Sequence, residues 1–340
     1  MKVLLTGHNG YIGSVMSAKL QEAGHEVVGL DTNFFADCNL GVPPSVVEIK
    51  KDIRDIEISD LEGFDAIVHL AALSNDPMGE INSSLTYNIN LYATLKMAEK
   101  AKKAGIGRFT YASSCSVYGA GDGNKILNED SLLVPITHYA TSKALAEKGL
   151  ARLADSSFSP VFMRNATVHG YSPRMRTDLV LNTMVAYAYT MGAITVVGDG
   201  TLWRPIVHIE DVCNAFVLAL EAPREVVHNQ AFNVGSTSCR VKKIAEVVSG
   251  ITDCKINYTD GGKDARSYRV GFKKAAEKLG FRAKWNAEAS VFQLGLAYRA
   301  LDDSFCYKFD DGLYNRLAQL KKLSAVGLIN QQFHWRKNEN

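Results

Sequence analysis

The chain has 340 residues, a formal net charge of +2, 46% hydrophobic and 22% charged residues, enough to bury a full core as one large domain or two closely joined ones. So small a charge argues against nucleic acid or an anionic membrane as a main partner, and no run reaches the ~18 apolar residues of a membrane span. Cysteines 38, 115, 213, 239, 254 and 306 are scattered, with no C-x-x-C pair and no clustered histidines, and Met1-Lys2 leads straight into a strand without an export signal. They read as reduced thiols of a cytoplasmic protein with no metal site.

In chain order, Lys2 to Thr6 (K-V-L-L-T) predicts a buried strand that breaks into Gly7-His8-Asn9-Gly10-Tyr11-Ile12-Gly13. Ser14 to Glu22 has helical spacing, with Val15, Ala18 and Leu20 on its apolar side, and Gly24 ends it. Glu26 to Leu30 is a second buried strand closing on Asp31. Glycines at intervals of three let backbone N–H groups approach a pyrophosphate at the positive end of a helix. An acid about 20 residues on can accept both hydroxyls of an adenosine ribose. Strand, turn, helix, strand and acid agree in order and length, and predict a dinucleotide site. Asp31 would repel a 2′-phosphate, and Thr32 and Asn33 offer no arginine to hold one, which favours NAD over NADP.

Further strands are predicted at Val46 to Ile49, Asp65 to Leu70, Arg108 to Ala112 and Val161 to Arg164, with helices from Ser84 to Ala104 and Tyr139 to Leu153. Lys51-Asp52-Ile53-Arg54-Asp55 follows the third strand, and Ala71-Ala72-Leu73-Ser74-Asn75-Asp76-Pro77 the fourth. Short apolar strands joined by helices imply an α/β fold whose parallel sheet is covered on both faces. Its ligand crevice lies beyond the carboxyl ends of the strands. Residues 1–165 would form this dinucleotide-binding domain, with later segments returning to it. Helices at Leu179 to Met191, Asp211 to Leu220, Val241 to Ser249 and Lys273 to Leu279, and strands at Thr195 to Val197, Phe232 to Val234 and Lys255 to Tyr258, are set in looser sequence. They suggest a smaller substrate lobe over 166–312. The tail, 313–340, carries Leu313, Leu317, Leu320 and Leu323 as one helical stripe, packing on the body or on a neighbouring subunit.

Tyr139 and Lys143 lie four apart at the start of a predicted helix, on one face a turn apart. A phenol must fall roughly 3 units from its ordinary pKa, about 4 kcal/mol, to act as a base near neutrality. A fixed ammonium beside it, together with the positive nicotinamide ring of NAD⁺, is a field that does this. Lys143 could also donate to the nicotinamide ribose. Ser113-Ser114-Cys115-Ser116-Val117-Tyr118-Gly119 follows the fifth strand, where a serine can hydrogen-bond the hydroxyl or carbonyl being interconverted. Taken singly, these are also a surface lysine beside a half-buried tyrosine, and a serine-rich turn.

Together the segments resemble the extended short-chain dehydrogenase/reductases of the nucleotide-sugar epimerase/dehydratase family. Thr6 to Gly13 is similar to that family's T-G-x-x-G-[FY]-[IL]-G, and His69 to Ala72 to its H-x-A-A. Asn90 to Thr94 is similar to N-x-x-G-T with Ala93 for the glycine, Ser113 to Gly119 to S-S-x-x-V-Y-G, and Tyr139 to Lys143 to Y-x-x-S-K. The resemblance runs from residue 1 to about 285. It implies a Rossmann-type doubly wound sheet with a smaller C-terminal substrate-binding lobe, and Ser114, Tyr139 and Lys143 as the catalytic trio. It also implies that Gly7, Asn9, Gly10, Tyr11, Ile12, Gly13, Asp31, Asp52, Ile53, Leu70, Ala71, Ala72 and Asn90, with Tyr139 and Lys143, hold NAD. Asp52 and Ile53 would flank the adenine.

Gly198 to Asp211 (G-D-G-T-L-W-R-P-I-V-H-I-E-D) is similar to the family's G-[DN]-G-x-x-x-R-x-x-[IV]-H-[VI]-x-D, which implies Arg204 on a substrate diphosphate. Arg266, in Asp264-Ala265-Arg266-Ser267-Tyr268, is a second anion-binding candidate, or a surface ion pair. Ser74, Cys115, Ser116 and Thr167 complete the expected substrate contacts. His208 and Asp211 are expected to lock their loop, Asp211 as N-cap of the next helix.

Three departures from the family pattern matter. Cys115 and Ser116 stand where sugar 4,6-dehydratases carry the Asp-Glu acid and base, which argues against 4,6-dehydration. Thr167 and His169 replace the usual asparagine and tyrosine, and Tyr171 the usual proline, reshaping the sugar pocket. The expectation is an NAD-dependent enzyme on a nucleoside-diphosphate sugar. Tyr139 takes a proton from a sugar hydroxyl, C4 being the favoured carbon, and hydride passes to the nicotinamide. Return to the opposite face makes a 4-epimerase; delivery into a 4-keto sugar supplied from elsewhere makes a 4-ketoreductase. NAD preference and recycling within the site tilt to the epimerase. A non-catalytic dinucleotide sensor or scaffold would tend to lose the tyrosine or lysine, and a small-alcohol dehydrogenase would leave Arg204 without purpose. A homodimer through the helices around 84–104 and 138–154 completes the expectation.

Overall fold

Seven short strands pair in parallel at the centre of the computed structural model, which describes residues 1–74, 82–120, 125–261, 266–301, 309 and 311–336. In chain order the strands are β1 (Lys2–Thr6), β2 (Glu26–Asp31), β3 (Val47–Lys50), β4 (Ala66–His69), β5 (Arg108–Ser114), β6 (Ile126–Leu127) and β7 (Ser159–Asn165). They continue as β8 (Thr167–His169), β9 (Ala193–Val197), β10 (Trp203–His208), β11 (Gln230–Val234), β12 (Thr237–Arg240), β13 (Lys255–Thr259) and β14 (Arg269–Val270). The central sheet runs β11-β7-β5-β4-β1-β2-β3, every neighbouring pair parallel. Strand order reverses between β1 and β4, so the connections leaving them pass to opposite faces and open a crevice at the carboxyl ends. Both faces are covered at β1: Val3 and Leu5 sit in one buried cluster and Leu4 in another, which is why Val3-Leu4-Leu5 is an unbroken apolar run.

The second half is not a separate piece. β11 adds to the β7 edge of the central sheet, and β8, β10 and β12 form a small sheet of their own. β9 pairs with β13 and β6 with β14. Several elements escape sequence reading. Trp203–His208 contains Pro205 and no alternation, yet it is the middle strand of the small sheet. Helix Ala287–Arg299 buries Ser290 and Gly295 beside Val291, Leu294 and Tyr298, so its inward stripe is not apolar enough to read. The helix expected from Ser84 to Ala104 is interrupted: Ser83–Tyr87 and Thr94–Lys103 are α-helical and Asn88–Ala93 is a π turn.

Asp211 is not the N-cap expected of it. Helix Ile209–Glu221 begins earlier, and the Glu210 N–H donates to His208 Nδ1 at 3.2 Å. Asp211 instead accepts the backbone N–H groups of Lys284 (3.0 Å) and Trp285 (3.1 Å), and the His208 ring stacks on Trp285 at 4.0 Å. Both residues thus lock the loop, by bonds to a distant segment. In the tail, helix Arg316–Ala325 buries Leu320 and Leu323 in the body's own core, which settles where that stripe packs. Asn75, Asp76, Pro77, Asp264, Ala265 and Cys306 lie outside the described residues.

Candidate active site

The glycine turn is closed by backbone. The Gly7 N–H donates to Leu30 O at 2.8 Å, tying the end of β1 to β2. Gly7 has φ +75°, and a Cβ there would stand 2.8 Å from Ala71 N. At Gly13 a Cβ would stand 2.0 Å from Gly7 O, so no side chain fits. Helix Tyr11–Glu22 starts from Gly10 with no side-chain cap and no acid in its first turn, leaving its first N–H groups for an anion. Asp31 accepts the N–H groups of Asn9 (3.0 Å) and Asn33 (2.8 Å), one on each oxygen. Burial pushes its carboxyl pKa up and those two bonds oppose the rise. The cradle and its acid fit a dinucleotide.

One cavity of about 1160 Å³ runs from this turn to the lobe. It is lined by Gly7, Gly10, Tyr11, Ile12, Gly13, Asp31, Asp52, Ile53, Leu70, Ala71 and Ala72 at one end. Ser114, Ser116, Tyr139 and Lys143 line it too, as do Ser74, Thr167, Arg204 and Arg266, the expected substrate contacts. Three expected site residues do not line it. Asn9 turns its side chain to Asn33 (2.7 Å) and Arg174 (3.1 Å). Asn90 is buried and holds Leu73, accepting its N–H at 2.8 Å and donating to its carbonyl at 3.0 Å. Cys115 points into the core, its Sγ 3.1 Å from Arg164 O, and burial pushes its thiol pKa up. Tyr11 belongs to the turn, but its buried hydroxyl donates to Gly170 O at 2.7 Å. Asp52 faces the cavity with its carboxylate already forked by Arg54, at 2.9 and 2.6 Å. Of the pocket departures, Thr167 alone reaches the cavity; His169 is buried outside it and Tyr171 packs over Gly41.

The chemistry-bearing residues sit at a strand end and a helix start. Ser114 closes β5 and caps the following 3-10 turn, accepting the Ser116 N–H (3.1 Å) and hydroxyl (2.9 Å). Its own O–H is left to donate. Helix His138–Leu153 is capped by Thr137, whose hydroxyl accepts the Ala140 N–H at 3.1 Å, and it presents half-buried Tyr139 to the cavity. Lys143, only 3% exposed, donates to Ala112 O at 2.8 Å. Its ammonium lies 4.7 Å from the Tyr111 ring centre and 5.9 Å from that of Tyr139. Burial lowers its pKa to about 7, and Glu147 opposes the fall. Glu147 is in turn forked by Arg164, at 2.8–3.2 Å, and bonded by Ser113.

Sequence reading missed Tyr111 and Glu147. Glu147 had a signal, four residues beyond Lys143 on the same helix face. Tyr111 had none, since a tyrosine in a buried strand reads as core. Arg204 donates to Trp203 O at 2.9 Å and to Arg266 O, joining the two expected anion-binding residues.

A family model described as the NAD dependent epimerase/dehydratase family matches residues 3–235. A UDP-glucose 4-epimerase of Corynebacterium glutamicum is 28% identical over 268 residues, 74% of this chain and 80% of that protein. MoeE5, solved in complex with UDP-glucuronic acid and NAD, superposes with a TM-score of 0.78 at 27% identity, over 88% of this chain and 100% of that one. A UDP-glucose 4-epimerase from Thermotoga maritima, solved with UDP-glucose, gives 0.77 at 25% identity, over 88% and 99%.

Proposed function

The chain belongs to the NAD dependent epimerase/dehydratase family, and from that premise we propose that it inverts C4 of a nucleoside-diphosphate sugar. The observation that carries this reading is one cavity lined together by the glycine turn, Ser114, Tyr139, Lys143 and Arg204. Gly7, Gly10, Ile12 and Gly13 would take the pyrophosphate of NAD and Asp31 its adenosine ribose. When bound, NAD supplies the nicotinamide that exchanges a hydride with the sugar carbon. Tyr139 receives the proton of the C4 hydroxyl, and Ser114 donates a hydrogen bond to the same oxygen. The Lys143 ammonium favours the phenolate of Tyr139 and holds the ring in place. Arg204 and Arg266 would fork the substrate's diphosphate, leaving the sugar to turn over between proton removal and return.

The core-facing Cys115 supports this over dehydration, because position 115 presents no acid or base to the sugar. A 4-ketoreductase remains the second reading, since the same trio would serve it. The test incubates the purified enzyme and NAD with UDP-, dTDP- and GDP-sugars, with C4 configuration read by NMR and NADH by absorbance. Epimers formed with no net NADH, and a loss of turnover of about 10³-fold or more in Tyr139→Phe, are expected. Consumption of NADH with only 4-keto sugars as substrates would assign the reductase instead. Unchanged turnover in Tyr139→Phe would end both readings.

A further inference from the structure

Residues 170–179 connect β8 to helix Val180–Met191 and are fastened onto the glycine turn. Ser172 Oγ donates to Tyr11 O at 2.7 Å and shares a hydrogen bond with Ser14 Oγ at 2.9 Å. This segment buries Arg174 and Arg176, and the tail brings a third buried guanidinium, Arg316, against them. Arg176 is paired with Asp178, at 2.8 and 3.1 Å, and with Ser74 at 2.9 Å. Arg174 donates to Asn9 of the glycine turn at 3.1 Å, and to Ala36 O and Asn39 Oδ1. Arg316 is 2% exposed, lies 4.5 Å over the Phe35 ring and donates to Arg174 O at 3.0 Å. Its Nη1 is buried and has no partner among the described residues. Asp178 and Cys38 favour its charge through space, but among the described residues no carboxylate is bonded to this buried guanidinium, and Arg174 and Arg176 oppose it, so an anion in the cavity would help to offset its desolvation. Arg316 lines the same cavity as Gly7, Gly10, Ile12 and Gly13.

We propose that Arg316 is a cofactor-binding residue whose guanidinium takes a phosphate oxygen of the dinucleotide from the cavity it lines, so that the C-terminal segment completes the NAD site. The proposal rests on the NAD site described above. The cofactor's diphosphate fits better than the substrate's because of what the tail touches. Phe35 lies in the segment after β2 that also brings Thr32 and Phe34 to the cavity beside Asp31. Farther along the tail, Trp335 Nε1 donates to Thr32 O at 2.5 Å and its ring lies 5.4 Å from Phe34. Arg54, which forks Asp52, donates to the carbonyls of Gln332 (2.6 Å) and Phe333 (3.0 Å). The tail is thus sewn to both adenosine-side loops, whereas Arg204 and Arg266 belong to the lobe. Burial, with Arg176 and Arg174, lowers the Arg316 pKa to about 10 against the opposing pull of Cys38 and Asp178, so it stays cationic at neutral pH.

The experiment frees the enzyme of nucleotide and titrates it by calorimetry with NAD, ADP-ribose, adenosine and UDP. Parent, Arg316→Met, Arg316→Gln and Arg316→Lys are compared, with folding checked by circular dichroism. Arg316→Met is expected to weaken NAD and ADP-ribose about tenfold or more, leave adenosine and UDP within twofold, and be partly restored in Arg316→Lys. If the methionine variant does not fold, Arg316→Gln carries the same expectation. Parental affinity for NAD and ADP-ribose in a folded variant overturns the proposal. Equal loss for adenosine overturns it too, as a general collapse of the site. Loss confined to UDP overturns it by assigning the cation to the substrate. Failure of the parent itself to bind NAD would instead strike the cofactor reading beneath it.

Discussion

Lys143 carries two demands that pull apart. To favour the Tyr139 phenolate it must be a cation, yet it is held where burial lowers its pKa to about 7. Below about pH 7 the folded and unfolded chains both hold its proton, and the full burial penalty weighs on the folded state. Between there and the ordinary lysine value the unfolded chain binds a proton that the folded one does not, so stability gains as pH rises through that window. Lys143→Met removes the penalty and loses one hydrogen bond to Ala112, a net gain of about 3 kcal/mol by order of magnitude. The cofactor-free variant should therefore be inactive but melt several degrees higher than the parent at pH 6, the gap closing as pH rises toward 10. A parent that melts higher at pH 6 would show that the ammonium is not desolvated at all. The Tyr111 ring beneath that ammonium lets a cation persist in a place without a carboxylate in direct contact.

Among elements, the π turn Asn88–Ala93 has an identifiable purpose. One wide turn inside an otherwise α-helical stretch re-aims the residues it contains. Here it carries Asn90, whose side-chain amide closes on both backbone groups of Leu73 and also donates to Ser142 at 3.2 Å. Leu73 follows Ala71 and Ala72 on the cavity wall, so the turn braces the strand end that faces the cavity. Asn90→Ala would bury two unsatisfied backbone groups, costing about 2–4 kcal/mol. Thermal denaturation should show the lower melting temperature, and titration a weaker affinity for NAD. No change in either would mean that water replaces the amide and the brace is dispensable. The sequence motif containing Asn90 suggests direct contact with the cofactor; its bonds to Leu73 lead us to propose a positioning role instead.

On the scale of the molecule, the sheet is the fixed body and three later segments return to it. β11 extends its edge, residues 170–179 cover the glycine turn, and the tail covers the loops after β2 and β3. The π turn Asn88–Ala93 and helix His138–Leu153 leave apolar side chains outside this wrapping, with Tyr92 56% and Leu145 42% exposed. We propose a homodimer through that face, and light scattering should give twice the 37.2 kDa chain mass. A monomer whose mass is unchanged by Leu145→Glu would refute it. Among the described residues no helix is long and apolar enough to cross a membrane.

What the sequence by itself determined lies within single strand–helix units. The glycine turn, Asp31 on the next strand, Ser114 at a strand end and the Tyr139–Lys143 spacing are each set by neighbours along the chain. Backbone geometry then fixes where they point once the strands are parallel. Only the tertiary structure decided which way Cys115 and Asn9 face, that Asn90 grips Leu73, that Asp211 caps a segment more than seventy residues away, and that Arg54 pins the tail. The same holds for Arg174 and Arg316, far apart in sequence and in contact in space. An arginine's spacing says nothing of its burial. Whether a charge meets a carboxylate, a ring or an unfilled cavity is fixed by chain crossovers that bring distant segments together, and that choice leaves no local periodicity to read.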